Sequence, residues 1–264
     1  MTHFTKAHAC GNDFLIVEGP ADSALAVRLC ARNTGVGADG VEFFEWTGER
    51  AGRIHLVNAD GSFAEISGNG TRCVAAWMAH EKRLRVGDVV RIETDAGPRD
   101  CRLVRADGNN FEFAQGMGVP SVDDKIVTLA DGTEVAGVTV SMGNPQFVVF
   151  ADRPDFSIHN RDWQRLGHEL CFHPDFPHQT NVEFARVLDN ATIEIRIFER
   201  GVGPTTSSGT GTCAAASASI VRRGLSPDLL VRAPGGEQRI HWDGEGAEIT
   251  LTGPAVLIAT GEAW

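Results

Sequence analysis

Apolar and polar positions alternate in short runs along most of the chain, and that period of two predicts strands. In the first part the runs cover Asp13–Glu18, Val41–Trp46, Arg53–Asn58, Val89–Thr94, Cys101–Arg105 and Phe111–Ala114. Further on they cover Lys125–Leu129, Glu134–Ser141, Gln146–Phe150, Asn181–Leu188, Thr192–Phe198, Leu229–Ala233, Gln238–Trp242 and Glu248–Leu251, with a last strand at Ala255–Ala259. Helical periodicity is confined to Ser23–Arg32 and Arg161–Cys171. Two more helices are predicted at 68–80 and 209–222, through Cys73-Val74-Ala75-Ala76-Trp77-Met78-Ala79 and Cys213-Ala214-Ala215-Ala216-Ser217-Ala218. Both are small or apolar nearly all round, so neither can offer a face to water and both must be enclosed. The pattern is that of an α+β fold, mostly antiparallel strands curved around buried helices.

The elements also repeat. Gly11-Asn12-Asp13-Phe14-Leu15-Ile16-Val17 matches Gly143-Asn144-Pro145-Gln146-Phe147-Val148-Val149. Ile54-His55-Leu56-Val57 before Asn58 matches Ile195-Arg196-Ile197-Phe198 before Glu199, and Ser67-Gly68-Asn69-Gly70-Thr71 matches Ser208-Gly209-Thr210-Gly211-Thr212. The offsets are 132, 141 and 141 residues in one order, which a chance match does not produce. Two pseudo-symmetric halves follow, 1–117 and 118–264, joined near Gln115-Gly116-Met117-Gly118-Val119-Pro120. The last strand, about 253–264, lies past the second repeat and is open to packing back on the first half.

Composition narrows the function. The chain has 264 residues, with Lys+Arg 24 against Asp+Glu 35 and a net charge of -11, which argues against nucleic acid and anionic membrane as partners. No apolar run reaches the ~18 residues of a membrane span. The opening segment lacks the continuous apolar core of a secretory leader. The six cysteines show no CxxC spacing, and a cytoplasmic protein with reduced thiols is expected. Lys6, Lys82 and Lys125 are the only lysines and none sits in a phosphate-binding glycine loop, which argues against a pyridoxal Schiff base. No GxxxxGK[ST] occurs.

The candidate chemistry lies at the two Gly-X-Gly motifs. Each puts glycines at the start of an enclosed helix, where free N–H groups and the helix dipole favour an anion. The plainer reading is a serine N-cap with glycines relieving close packing. Two such starts at equivalent places, facing one cleft, would suit a small carboxylate-bearing substrate with a group on either face of one carbon. Inverting a stereocentre needs that arrangement, a base on one face and an acid on the other. Asn12, Asn58, Asn144, Asn181, Glu199 and Arg200 supply polar groups nearby in the repeats. Taken one at a time, the asparagines also read as turn formers and Glu199-Arg200 as a surface ion pair.

These residues resemble diaminopimelate epimerase, of the pyridoxal-independent amino-acid racemase superfamily that includes proline racemases and phenazine-biosynthesis isomerases. The resemblance is carried by Lys6-Ala7-His8-Ala9-Cys10-Gly11-Asn12-Asp13-Phe14, Asn58-Ala59-Asp60-Gly61-Ser62, Ser67 to Cys73, Met142-Gly143-Asn144-Pro145, Thr180-Asn181-Val182-Glu183-Phe184, and Glu199-Arg200-Gly201 through Gly209-Thr210-Gly211. It implies two halves with the active site between them and an isomerase that interconverts LL- and meso-diaminopimelate without a cofactor. It also implies that Asn12, Asn58, Asn144, Asn181, Glu199 and Arg200 hold the substrate's polar ends. The carboxylate at the reacting carbon would lie on the N–H groups of Gly68-Asn69 and Gly209-Thr210. Family members commonly pair as homodimers.

The departure is at the reacting groups. The family begins both motifs with cysteine, whereas this chain has Ser67 and Ser208 as its candidate catalytic residues, and Gln146 stands where a histidine usually follows Gly-Asn-Pro. A helix N-terminus can bring a thiol of pKa about 8.5 into the working range but not a serine hydroxyl. Three readings stay open: an altered proton transfer, a ligand-binding relative that lost its acids, or deliberate replacement of the thiols. A structural domain with packing glycines explains the duplication but not the polar set. Cys73 and Cys213 lie inside the helices and read as packing residues. His173-Pro174-Asp175-Phe176-Pro177-His178 reads as a loop, and no metal site is expected.

Overall fold

The computed structural model describes residues 1–264, which divide into two units, Met1–Gln115 with Thr252–Trp264, and Gly116–Leu251. The first unit holds β1 (Thr2–Ala9), β2 (Asn12–Glu18), α1 (Ser23–Cys30), β3 (Gly40–Gly48), β4 (Ala51–Asn58), β5 (Phe63–Ala64), α2 (Gly68–Lys82), β6 (Val89–Thr94), β7 (Gly97–Asp107) and β8 (Asn110–Gly116). The second holds β9 (Ser121–Thr128), β10 (Glu134–Ser141), β11 (Pro145–Phe150), α3 (Trp163–Cys171), β12 (Asn181–Asp189), β13 (Thr192–Glu199), β14 (Gly203–Thr205), α4 (Gly209–Arg223), β15 (Asp228–Ala233) and β16 (Gly236–His241). The final strand, β17 (Thr250–Ala263), pairs with β1 and β8.

In the first unit the pairing runs β1-β2-β3-β4-β6-β7-β8-β17 and returns to β1, a closed ring without a free edge. Pairs β2–β3 and β4–β6 are parallel, whereas β1–β2, β1–β17, β3–β4, β4–β5, β6–β7 and β7–β8 are antiparallel. The second unit repeats the plan as β9-β10-β11-β12-β13-β15-β16, with β11–β12 and β13–β15 as its parallel pairs. The connection between the two strands of each parallel pair carries a helix, as a parallel crossover usually does.

Small side chains make this enclosure possible. Cys73 through Ala79 on α2 pack against Ala7, Phe14, Phe44, Ile92, Phe113 and other inward residues of the ring. Cys213 to Ala218 on α4 do the same among Val148, Ile195, Val231 and Trp242. The outer faces are covered too. α1 packs on Val41, Phe43 and Val57, and α3 packs on Val182, Phe184 and Phe198. Strands β3 and β12 are therefore buried on both faces, odd residues of β3 and even residues of β12 turning outward.

The sequence did not predict β1, whose Thr-His-Phe-Thr-Lys-Ala-His-Ala run is poor in branched residues and buries Ala7 and Ala9 instead. Nor did it predict the short strands β5 and β14. Helix α1 ends at Cys30 rather than Arg32, because Ala31 leaves the helical region at ψ 115. Glu248 and Ile249 lie outside β17, which extends well beyond Ala255–Ala259.

Candidate active site

In the first unit, β4 ends at Asn58 and the chain returns through β5 to Ser67, the N-cap of α2. Ser67 is extended (φ -123, ψ 122), and its Oγ accepts a 3.1 Å hydrogen bond from Gly70 N–H. Beside it, Asn69 Nδ2 donates to Asn12 Oδ1 at 3.2 Å, and Asn12 Nδ2 donates to Asp39 at 2.6 Å. Arg32 bridges Asp39 and Asp13, and Lys6 also pairs with Asp13. Burial pushes the Asp13 carboxyl up, but Arg32 and Lys6 outweigh it and hold the group below the ordinary carboxylate range. Asn12 is thus fixed from both ends, and so is the first turn of α2. Asn58 donates to the Ser62 hydroxyl at 3.0 Å, within its own turn.

The second unit builds the same start from different residues. Ser208 caps α4 (φ -145, ψ 128), with its Oγ accepting from Gly211 N–H at 3.3 Å. Gln146 Nε2 donates to Asn144 Oδ1 at 2.7 Å and to Thr210 Oγ1 at 3.2 Å, and Asn144 Nδ2 reaches the same threonine at 3.4 Å. The pairs Asn12–Asn69 and Asn144–Thr210 are therefore equivalents in the two repeats. Glu199 closes β13. Burial raises its carboxyl pKa, while the hydroxyls of Ser208 and Thr205 draw it back down. Asn181 Oδ1 accepts from the Arg200 backbone N–H at 3.0 Å, and the Arg200 guanidinium donates to the His178 carbonyl at 3.2 Å.

Each unit thus gathers its predicted residues around one helix start: Ser67, Gly68, Asn69 and Asn12 in the first, Ser208, Gly209, Thr210 and Asn144 in the second. No acidic residue occupies the first turn of either helix, which leaves the positive end of each dipole for an incoming anion. The serine oxygens do cap, as the plainer reading had it, but a cap uses the oxygen and leaves the hydroxyl proton to be donated.

Two acids escaped the sequence reading. Glu42 on β3 and Glu183 on β12 are fully buried, and neither oxygen of either has a hydrogen-bond partner. Strand parity explains their place: they stand in the inward rows, toward α2 and α4. An ideal Cβ on Gly70 would fall 3.0 Å from Glu42 Cδ and 3.3 Å from Ser67 Cβ. At Gly211 the corresponding distances are 3.3 Å to Glu183 Cδ and 3.2 Å to Ser208 Cβ. The second glycine of each motif therefore makes room for a carboxyl beside the serine. Burial, reinforced by the charge of Asp95, pushes Glu42 up to about 8. Burial also raises Glu183 well above its ordinary value, with Glu199 adding to the effect. The sequence signal was present, since an acid inside a doubly buried strand cannot be on a solvent face, but double burial was not legible from alternation alone.

The remaining candidates are settled by packing. Cys73 and Cys213 are buried, and desolvation pushes the Cys73 thiol far above its ordinary pKa. His173 is held at Nε2 by the Thr128 carbonyl at 3.0 Å and at Nδ1 by Asp175 N–H at 3.2 Å, which places it in a loop network.

The family described as diaminopimelate epimerase matches residues 4–122 and 138–258. A diaminopimelate epimerase of Xanthomonas campestris pv. campestris is 38% identical, covering 98% of this chain and 95% of its own length. One from Acaryochloris marina is 36% identical over 98% of this chain and 97% of its own. Among solved structures, a predicted epimerase of Pseudomonas aeruginosa superposes with a TM-score of 0.74 at 14% identity, covering 100% of this chain and 99% of its own. A hydroxyproline epimerase from Agrobacterium vitis, with bound trans-4-hydroxy-L-proline, reaches 0.70 at 17% identity over 98% and 91%. The structures share the fold, and the sequence matches carry the assignment: this chain belongs to the diaminopimelate epimerase family of isomerases.

Proposed function

We propose that this protein interconverts LL- and meso-diaminopimelate without a cofactor, by proton transfer on both faces of the α-carbon. The observation that carries the reading is the duplicated, serine-capped Gly-X-Gly helix start, each with a fixed amide beside it. Ser67 and Ser208 would exchange the α-proton. The N–H groups of Gly68, Asn69, Gly209 and Thr210 would stabilise the charge that develops on the substrate carboxylate. Asn12 and Asn144 orient those turns, while Asn58, Asn181, Glu199 and Arg200 would hold the polar ends. The family names of the relatives support the substrate, and the same reading makes the protein a cytoplasmic homodimer in lysine and peptidoglycan-precursor synthesis.

A second reading has its own support. Serine in place of both thiols, with Gln146 at the histidine position, suits a relative that binds an amino acid or dicarboxylate without turning it over.

Deuterium incorporation at the α-carbon of diaminopimelate in heavy water separates the two. It is run on this chain and on the Ser67→Cys, Ser208→Cys pair. Exchange by the serine form is expected. Exchange that appears only with cysteine installed would show an intact pocket lacking its acids, as in a ligand-binding relative or a chain whose thiols have been replaced. Neither exchange nor calorimetric binding in either form would remove diaminopimelate as the ligand.

A further inference from the structure

The two serines do not have equivalent neighbours. Glu199 closes β13, and its carboxyl is raised by burial and drawn back down by the Ser208 hydroxyl. At the equivalent place in the first unit stands Asn58, which cannot take a proton and is bonded to Ser62. Gln146 cannot take one either. Ser67 Oγ accepts from Gly70 N–H, and its hydroxyl proton has no bonded acceptor. The carboxyl that does stand beside Ser67 is Glu42, fully buried, with both oxygens unpartnered and lodged against the first turn of α2 where Gly70 has no side chain.

We propose that Glu42 is the proton partner of Ser67, a positioning residue that exchanges the substrate's α-proton through the serine hydroxyl. The inference rests on the epimerase reading above. In the abstraction step the substrate Cα–H bond breaks, its proton goes to the Ser67 oxygen, and the Ser67 hydroxyl proton passes to the Glu42 carboxylate. The electron pair stays on the substrate as its enediolate. On the other face the Ser208 hydroxyl protonates Cα and is refilled from the protonated Glu199 carboxyl. Ser67 never becomes an alkoxide, which removes the objection that serine is too weak an acid for this chemistry.

The surroundings fit a group that must change charge at working pH. Glu42 is raised by burial and by Asp95, itself paired with His55, and lies near the Cys73 thiol of α2. A carboxyl held near pH 8 can be both proton acceptor and donor there.

Glu183 supplies an internal control. It occupies the same place under α4, but Ser208 already has Glu199. If both buried acids only pack against their helices, Glu42→Gln and Glu183→Gln should behave alike. The relay expects otherwise. Glu42→Gln should lower deuterium incorporation about 100-fold or more and remove a limb of the pH–rate profile near pH 8, with diaminopimelate affinity retained. Glu183→Gln should keep that limb of the profile. Equal effects of the two variants, or an unchanged pH profile in Glu42→Gln, would overturn the relay while leaving the epimerase reading intact. A wild-type chain that exchanges nothing would instead overturn the reading and the relay together. Should Glu42→Gln not fold, carboxyl 13C titration of the wild-type chain gives the same answer. The Glu42 titration must move on adding meso-diaminopimelate while Glu183 stays, and an unmoved Glu42 overturns the proposal.

Discussion

Ser67 and Ser208 each bind the backbone N–H three residues on, so these side chains carry a structural duty whatever chemistry they perform. Removing the hydroxyl deletes the cap and orphans an N–H at the start of an enclosed helix. Ser67→Ala is therefore expected to destabilise the protein by about 1 kcal/mol, measured by urea unfolding. A stability change near zero would show that the Gly70 N–H finds another acceptor. Cysteine is a poorer acceptor, so the Ser67→Cys, Ser208→Cys pair should also melt lower than the parent even where it exchanges protons faster. At this scale the sequence was legible where residue type and motif coincide: serine, glycine and asparagine at a helix start announce their roles. Glu42 and Glu183 were not, because their meaning lies in which way a strand side chain points.

The two central helices end differently. Gly224 closes α4 at φ 64 without a Cβ to strain, whereas Arg83 closes α2 at φ 51, where a side chain is unfavourable. Arg83 N–H donates back to the Ala79 and His80 carbonyls, so the left-handed turn is required by the chain reversal and not by the arginine side chain. Arg83→Gly should raise stability by up to about 1 kcal/mol, read as a higher denaturant midpoint with an unchanged slope. A lower midpoint would mean the arginine side chain has a packing role that outweighs the strain. Periodicity found these helices readily, since an all-round small, apolar face has few other uses. It failed at β1, where alanines fill the inward positions because the helix approaches closely. That cause lies in tertiary packing and leaves no local signature in the sequence.

The duplication was the most legible feature of the whole molecule, and it carries one further consequence. Two fully buried carboxyls without partners, one per repeat, keep their protons in the folded protein to a higher pH than in the unfolded chain, where they ionise near the ordinary value of 4.5. The folded state then binds more protons than the unfolded state between about pH 4.5 and 8 for Glu42, so stability must fall as pH rises through that window. Below 4.5 both states are protonated and the contribution is complete; above about 8 Glu42 ionises in the fold and the loss stops growing. Glu183 acts in the same direction. Each group contributes on the order of 1 kcal/mol per pH unit at most. Asp13, held low by Arg32 and Lys6, and Glu194, held low by Arg186 and Arg196, act in the opposite sense but only as pH falls into the carboxylate range, outside the window from 5 to 8. His241, raised by Asp228, loses its contribution as pH rises, but it is exposed and adds little. Melting temperatures from pH 5 to 8 should therefore decline in the wild-type chain. The decline should be shallower in Glu42→Gln and shallowest in the Glu42→Gln, Glu183→Gln pair, with the variants gaining most at pH 8. Parallel curves for all three would mean that the buried acids are paired or hydrated in solution and titrate normally.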